Sequence, residues 1–209
     1  DPEYLMTLVY IDDVVEELIK GLSGKENRIG EFCEVPVVYR MKLGKIVELL
    51  ESFKESRNNI SIPNVSEPFT KKLFSTYLSY LPENNFRYPL KMNADERGSF
   101  TEFFRTPDRG QVSVNILKPG IVKGNHWHHT KFEKFLVVSG TGVIRFRKIG
   151  EEKVVEYFIS GEKMEVIDVP AGYTHNIENL GENDLIAIIW VNEPFNNEKP
   201  DTFFEEVEK

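Results

Sequence analysis

Positions 120 to 140 read GIVKGNHWHHTKFEKFLVVSG, and this run holds three of the four histidines of the chain. Successive side chains of an extended strand point to opposite faces, so His126 and His128 share one face while Trp127 points to the other. Glu133 follows at the start of the next apolar run and offers a carboxylate oxygen from a neighbouring strand. The spacing therefore predicts two imidazoles and one carboxylate that converge on one point.

The fourth histidine, His175, comes after the turn Pro170-Ala171-Gly172 and can complete a site of three nitrogens and one oxygen. This donor set suits Zn, Fe, Mn, Ni or Cu. We expect zinc, and four protein ligands leave open whether the ion is structural or catalytic. His129 points away from His128 in the same alternation and is expected to lie outside the ligand set.

The pattern of apolar residues along the sequence changes after position 84. Residues 85–209 consist of short alternating apolar runs broken by Gly, Pro and Asn, which is typical of an all-β sandwich or barrel. A tight hairpin is expected at Ser139-Gly140-Thr141-Gly142. Residues 1–84 instead alternate strand and helix patterns, with Asp12 as a helix N-cap and strand character from Phe32 to Val38. The chain is therefore predicted to have a mixed α/β first domain and an all-β second domain.

The two histidine segments resemble the two motifs of the cupin family. Gly120, His126-x-His128, Glu133 and Gly140 occupy the positions of the first motif, and Pro170-x-Gly172-x-x-His175-x-x-x-Asn179 occupies those of the second. The resemblance implies a cupin barrel, or jelly roll, with His126, His128, Glu133 and His175 as the metal ligands. Gly161 stands further before Pro170 than the usual second-motif glycine, so a slightly longer hairpin is expected there.

A second resemblance concerns the substrate. Asp95-Glu96-Arg97-Gly98-Ser99-Phe100-Thr101-Glu102 resembles the Asp-x-Arg-Gly-x-Phe-x-Glu signature of nucleotide-linked 4-keto-sugar 3,5-epimerases, which are themselves cupins. It implies that Arg97, Gly98 and Glu102 bind substrate, with the guanidinium on a diphosphate. The plain alternative is a turn with ordinary surface charges. Those epimerases normally lack the metal ligands found here, so their catalytic pair is not carried over.

The first domain carries a third resemblance. Tyr10-Ile11-Asp12-Asp13-Val14 is similar to a Tyr-Ile-x-Asp-Val stretch in the substrate-side part of extended short-chain dehydrogenases that act on nucleotide sugars. The chain lacks a dinucleotide glycine fingerprint and a Tyr-x-x-x-Lys pair. We therefore interpret residues 1–84 as the end of a dehydrogenase domain without its cofactor half, and expect NADPH to bind only the intact protein. The start at Asp1, without Met, also favours a piece of a longer protein.

A dehydrogenase remnant joined to a metal-type cupin resembles the bifunctional UDP-sugar enzymes of bacterial capsular polysaccharide synthesis. This implies that the cupin epimerises C3 of a UDP-2-acetamido-2,6-dideoxy-4-hexulose. It also implies that the intact protein reduces C4 with NADPH, on the route to UDP-N-acetyl-L-fucosamine. Removing the C3 proton leaves an enolate, so the reaction needs charge stabilisation and proton transfer. Lys123 and Tyr173, near the two motifs, are the candidates for proton transfer.

Two other function classes share this ligand set: an iron cupin dioxygenase, and a sugar-binding or assembly module with a structural metal. The net charge of -8 argues against nucleic acid as a partner. The longest apolar stretch, from Leu185 to Val191, is too short to span a membrane. Cys33, the only cysteine, and the lack of a leader pattern favour a cytoplasmic protein. Apolar edge strands favour a homodimer.

Overall fold

The computed structural model describes residues 1–208 and divides the chain into two compact units. One consists of Asp1–Asn59 and Pro63–Arg87, and the other of Ile60–Ile62 with the chain from Tyr88 onward. The boundary expected after residue 84 lies within three residues of this division. No helix among residues 1–208 combines the length and apolar character that crossing a bilayer requires.

The first unit is mixed α/β, as predicted. The elements in chain order are β1 (Leu5–Leu8), α1 (Ile11–Leu22), β2 (Arg28–Ile29), β3 (Phe32–Cys33), β4 (Tyr39–Lys42), α2 (Leu43–Glu55) and α3 (Pro68–Ser79). Strands β1 and β4 pair antiparallel, β2 and β3 form a short hairpin, and α2 contacts α3.

Two local expectations for this unit are wrong. The single strand expected from Phe32 to Val38 is not formed: Phe32–Cys33 pair with β2, whereas Tyr39–Lys42 pair with β1 in another sheet. Pro36, which has no N-H to donate, lies in the unpaired stretch between them. The N-cap of α1 is Tyr10 and not Asp12, which lies in the first turn. There its carboxylate still interacts favourably with the positive end of the helix dipole.

The core between α2 and α3 is aromatic. Phe53 of α2 is fully buried, and its ring centroid lies 4.9 Å from that of Phe74 and 5.7 Å from that of Tyr77, both on α3. Edge-to-face packing of this kind adds to the free energy that area burial contributes. One side chain thus fixes the contact between the two helices.

The second unit is built from two antiparallel sheets, and the predicted cupin-type barrel is confirmed. The strands are β5 (Met92–Asp95), β6 (Gly98–Thr106), β7 (Gly110–Leu117), β8 (Val122–Trp127), β9 (Glu133–Ser139), β10 (Thr141–Lys148), β11 (Val154–Ser160), β12 (Val166–Val169), β13 (Tyr173–Asn179), β14 (Leu185–Val191) and β15 (Phe203–Phe204). The larger sheet has six strands in the order β12-β9-β14-β7-β6-β5, and the smaller has five in the order β11-β10-β13-β8-β15.

Alternate residues of both sheets form one apolar core. On β14, for example, Leu185, Ala187 and Ile189 are buried at intervals of two, as expected for one face of a strand. The other buried members of the cluster are Leu117, Phe135, Val137, Ile144, Phe146, Ile159, Val169 and Ile177. Because the cluster draws on strands of both sheets, it holds their inner faces together.

The expectation of a hairpin at Gly140 is wrong, because the connection at this residue is not between paired strands. It joins β9 of the six-stranded sheet to β10 of the five-stranded sheet, so the chain crosses between sheets there. Gly140 has φ +84°, and a Cβ on it would lie 2.9 Å from the carbonyl oxygen of Asp184. Gly161, between β11 and β12, marks a second crossing, and its N-H donates to the Gly140 carbonyl at 3.0 Å. Two glycines let these crossings approach closely.

Candidate metal centre

The four candidate ligands come from both sheets of the barrel. His126 lies on β8 and His175 on β13, directly opposite each other in the antiparallel register, and His128 follows the last residue of β8. Glu133 is the first residue of β9, which belongs to the other sheet. The carboxylate expected from a neighbouring strand therefore reaches the histidines across the barrel interior.

The structure brings these four side chains together. Their potential ligand atoms all lie within 4.8 Å of one another. Glu133 Oε2 is 3.0 Å from His175 Nε2 and 3.7 Å from His128 Nε2. The ring centroid of His126 lies 4.6 Å from that of His175 and 4.9 Å from that of His128. His128 and His175 are buried, and the other two are half-buried.

The polar atoms at the centre fit a bound cation. His128 Nε2, Glu133 Oε2 and His175 Nε2 are buried and make no hydrogen bond, an arrangement that costs about 1–3 kcal/mol per group when nothing satisfies it. Two atoms bound to one ion at about 2.1 Å lie roughly 3.0 to 3.5 Å apart, close to the 3.0 and 3.7 Å that separate Glu133 Oε2 from His175 and His128, while the four ligand atoms as a set lie within 4.8 Å. Three imidazoles and a carboxylate can therefore hold a divalent transition metal.

Hydrogen bonds on the outer side of two rings set their tautomers. His128 Nδ1 contacts the carbonyl oxygen of Asp201, and His175 Nδ1 lies 3.3 Å from the carbonyl oxygen of Tyr173. A carbonyl oxygen only accepts, so each Nδ1 carries the proton and each Nε2 presents its lone pair to the centre.

The protonation states of two other ligands also suit metal binding. Burial, with the nearby ring of His175, lowers the pKa of His126 to about 4, so this imidazole is neutral near pH 7. Burial alone would raise the pKa of Glu133, but His128 and His175 outweigh it and hold that pKa below its usual range. Neutral imidazole and ionised carboxylate are the forms that bind metals.

The centre opens into a cavity of about 680 Å³, a size typical of small-molecule sites. Apolar side chains such as Phe100 and Ile177 form part of its wall, while Arg97 and Lys123 add positive charge. The complete lining is Met92, Asn93, Ala94, Asp95, Arg97, Phe100, Asn115, Lys123, Gly124, His126, His128, Glu133, Phe135, His175, Ile177, Ile189 and Thr202.

Lys123 is held at the cavity wall by acceptors of the neighbouring strands. Its Nζ donates to the carbonyl oxygen of Ile116 at 2.9 Å and to Asn115 Oδ1 at 3.2 Å. Burial lowers the pKa of Lys123; Asp95 opposes this shift and Arg97 adds to it. The amine is therefore fixed in place and loses its proton more readily than an ordinary lysine.

The segment predicted to bind substrate is only partly at the cavity. Arg97 lies in the turn between β5 and β6, is exposed, and donates to Asp95 Oδ2 from Nη2 at 2.6 Å and from Nε at 3.0 Å. Gly98 and Glu102 do not line the cavity. The carboxylate of Glu102 instead pairs with Arg105. Of the three residues expected to bind substrate, only Arg97 lines the cavity; Asp95 and Phe100 of the same segment line it as well.

Gly98 has a clear conformational role. Its φ is +129°, and a Cβ would lie 2.0 Å from the carbonyl oxygen of Ile116. We expect Gly98→Ala to lower the free energy of unfolding by about 3 kcal/mol, since the paired strands must separate. Gly150→Ala is the matched control, because Gly150 also has positive φ but nothing within 4 Å; it should cost about 1 kcal/mol. Urea denaturation of both variants measures the difference, and equal losses would contradict the packing argument.

Two further residues singled out from the sequence lie away from the cavity. Tyr173 is on β13, two residues before His175, and its side chain packs against the apolar core. It is not among the residues that line the cavity. The ring of His129 packs against Trp127 at 4.5 Å and Phe203 at 4.9 Å between centroids, outside the cluster of four.

The position of Tyr173 makes its proposed catalytic role testable. A residue that transfers a proton typically accounts for a factor of about 10² to 10⁴ in rate, whereas removing a hydroxyl outside the cavity should change the turnover number by less than about threefold. From the packing, we expect the smaller effect for Tyr173→Phe. Steady-state kinetics of the purified variant distinguish the two results, and a loss above a hundredfold would establish Tyr173 as a catalytic residue.

Asn115, Asp201 and Thr202 belong to the site but were not anticipated. Asn115 holds Lys123, Asp201 contacts His128, and Thr202 lines the cavity. Asp201 lies in an irregular stretch just before β15. No local pattern indicates that this stretch reaches a histidine more than 70 residues earlier.

Known proteins resemble this chain over nearly its whole length. It is 41% identical over 199 residues to the UDP-2-acetamido-2,6-beta-L-arabino-hexul-4-ose reductase of Pseudomonas aeruginosa, covering 95% of this chain and 53% of that protein. The crystal structure of CapF, a capsular polysaccharide assembling protein of Staphylococcus aureus, is 57% identical with a TM-score of 0.95, covering 99% of this chain and 60% of that one. CapF crystallised with the inhibitor 3-isopropenyl-tropolone gives a TM-score of 0.96 at the same identity and coverage.

The chain thus spans between half and two thirds of the length of these relatives. The family described as the polysaccharide biosynthesis C-terminal domain matches residues 93–203, which is most of the barrel unit and more than half of the chain. The chain belongs to this polysaccharide biosynthesis family.

Proposed function

We propose that the barrel unit epimerises C3 of a UDP-linked 2-acetamido-2,6-dideoxy-4-hexulose during capsular polysaccharide synthesis. The observation that carries this proposal is the cluster of His126, His128, Glu133 and His175 at a cavity that also presents Lys123 and Arg97. A cation centre beside a lysine of lowered pKa suits a reaction that forms an enolate.

The relatives support the choice of substrate. The Pseudomonas aeruginosa relative is a UDP-2-acetamido-2,6-beta-L-arabino-hexul-4-ose reductase, which acts on a UDP-linked 2-acetamido sugar with a ketone at C4, and CapF is a capsular polysaccharide assembling protein. A C4 ketone acidifies the proton at C3, so the same sugar suits epimerisation. We further propose that the longer protein reduces C4 with NADPH on the route to UDP-N-acetyl-L-fucosamine, and that it acts as a cytoplasmic homodimer.

Each polar residue of the cavity has a separate role in the proposed epimerisation. Arg97, at the exposed rim, binds the diphosphate as a forked donor. Lys123 removes the C3 proton from one face of the sugar and holds it on Nζ, and a solvent-derived proton returned to the opposite face inverts the centre. Phe100 and Ile177 form part of the apolar wall of the cavity. His126, His128, Glu133 and His175 would hold a divalent metal, for which we propose zinc, and the bound ion would supply positive charge to stabilise negative charge on the C4 oxygen.

Proton exchange at C3 tests the proposal directly. The chain is incubated with the UDP-4-keto sugar in D₂O without nicotinamide, and NMR follows the C3 proton. We expect one deuterium at C3 and a product of inverted configuration, because proton removal and return require no redox cofactor.

Other results would assign another function. Oxygen consumption coupled to substrate loss would support an iron dioxygenase. Tight binding of the UDP sugar without exchange, by protein that carries stoichiometric metal, would support a non-catalytic binding or assembly module. Either outcome would refute the epimerase proposal.

A further inference from the structure

The C-terminal segment from Pro200 to Val207, here called the strap, runs along the metal centre. Its strand β15 pairs with β8 so that Phe204 lies opposite His126. Arg147, which is almost completely buried, anchors the strap by donating from Nε to the Val207 carbonyl at 2.8 Å and from Nη2 to Glu205 Oε1 at 2.8 Å. The strap is therefore an integral part of the barrel wall and lies beside the candidate ligands His126 and His128.

Asp201 connects the strap to the loop that carries His128. Its carboxylate accepts four hydrogen bonds from this loop: His129 N at 3.0 Å, Thr130 N at 2.9 Å, Thr130 Oγ1 at 2.9 Å and Lys131 N at 3.1 Å. Three consecutive backbone N-H groups on one carboxylate form an anion-binding nest. The Asp201 side chain thus connects the strap to the loop of residues 129–131 that follows His128.

The main chain of the same residue contacts the ligand itself. Asp201 has φ +41°, in the left-handed region that is uncommon for a residue with a side chain. In this conformation its carbonyl oxygen meets His128 Nδ1 while its carboxylate meets the loop. Strain of about 1 to 3 kcal/mol at such a position persists only where surrounding contacts enforce it.

His128 needs this support more than the other two histidines do. His126 lies on β8 and His175 on β13, where the paired register fixes their backbones. His128 lies beyond the end of β8, and its buried Nε2 has no hydrogen-bond partner. The Asp201 carbonyl is the acceptor that keeps the proton on Nδ1 and leaves the Nε2 lone pair facing Glu133.

We propose that Asp201 is a positioning residue of the metal centre, whose carboxylate fixes the His128 loop and whose carbonyl fixes the His128 tautomer. Metal affinity then depends on one residue of the C-terminal strap, Asp201, which is not itself a ligand. This inference does not require the epimerase proposal, because any metal bound at the four side chains would depend on the same hydrogen bonds.

Cobalt binding tests the inference without an activity assay. Co²⁺ affinity is measured by visible absorption in competition with a chelator, and the His128 tautomer by ¹⁵N NMR. Asp201→Gly keeps the left-handed backbone accessible but removes the carboxylate, and should weaken Co²⁺ binding by about 10- to 100-fold, the range found for loss of outer hydrogen bonds. Asp201→Asn keeps size and backbone preference but replaces an acceptor by a donor, so a loss of about tenfold is expected.

Glu205→Gln is the matched control, because it weakens the strap at Arg147 and leaves the contacts of Asp201 intact. Its Co²⁺ affinity should stay within about twofold of that of the unaltered chain, well short of the roughly 10- to 100-fold loss expected when an outer hydrogen bond to a ligand is removed. If Asp201→Gly does not fold, the Co²⁺ affinity of Asp201→Asn tests the proposal in its place. Unchanged affinity and tautomer in the folded Asp201 variant would overturn the proposal, as would an equal loss of affinity in Glu205→Gln.

Discussion

Replacing His175 by alanine is expected to weaken Zn²⁺ binding by about two to three orders of magnitude. Four ligands of a structural zinc site together provide roughly 10–16 kcal/mol, so one ligand accounts for about 3–4 kcal/mol, and each 1.4 kcal/mol is about a factor of ten. His175 is only 1% exposed and contacts both Glu133 and the ring of His126. Competition with a chromophoric chelator measures the affinity.

His129→Ala is the control for His175→Ala, because it removes an imidazole next to the centre whose ring packs on Trp127 instead. It should retain one equivalent of metal after dialysis. The circular dichroism of the chelated, unaltered chain is the reference for folding of His175→Ala. Full metal content in folded His175→Ala would contradict the assignment of this residue as a ligand.

The barrel and the convergence of its histidines could be predicted because both depend on local spacing. Alternation along β8, continued one residue beyond its end, places His126 and His128 on one face, and the Pro170-x-Gly172 turn directly precedes the strand that carries His175. The partner of each strand could not be predicted in the same way. At Gly140 the hairpin expectation failed because short sequence spacing does not say whether two strands pair or cross between sheets.

The surroundings of the metal centre were harder to predict, because they depend on contacts between residues far apart in the sequence. The contact between Asp201 and His128 joins residues 73 positions apart. The hydrogen bond from Lys123 Nζ to Asn115 Oδ1 joins side chains of two different strands. Glu102 adds a contact between residues close in the sequence. The resemblance implies substrate binding by Glu102, which stays a prediction, and the structure shows its carboxylate paired with Arg105 on the same strand.

Replacing Lys123 by methionine is expected to slow proton exchange at C3 of the UDP-4-keto sugar by about 10²- to 10⁴-fold, the usual contribution of a general base. Methionine keeps the volume of the side chain but cannot accept a proton. Because burial lowers the pKa of Lys123, exchange by the unaltered chain should reach its plateau at a lower pH than an ordinary lysine would give. Deuterium incorporation at saturating substrate, measured across a pH series, reports this step.

Lys118→Met is the matched control, because it removes the same charge from an exposed lysine that pairs with Asp184 at 2.8 Å. Loss of positive charge near Arg97 also weakens binding of the diphosphate, but that effect raises KM and leaves the rate at saturation unchanged. Co²⁺ binding by Lys123→Met verifies that the metal centre is intact. A variant with an intact centre and a raised KM, but a saturated rate within tenfold of the unaltered chain, would limit Lys123 to substrate binding and require another base.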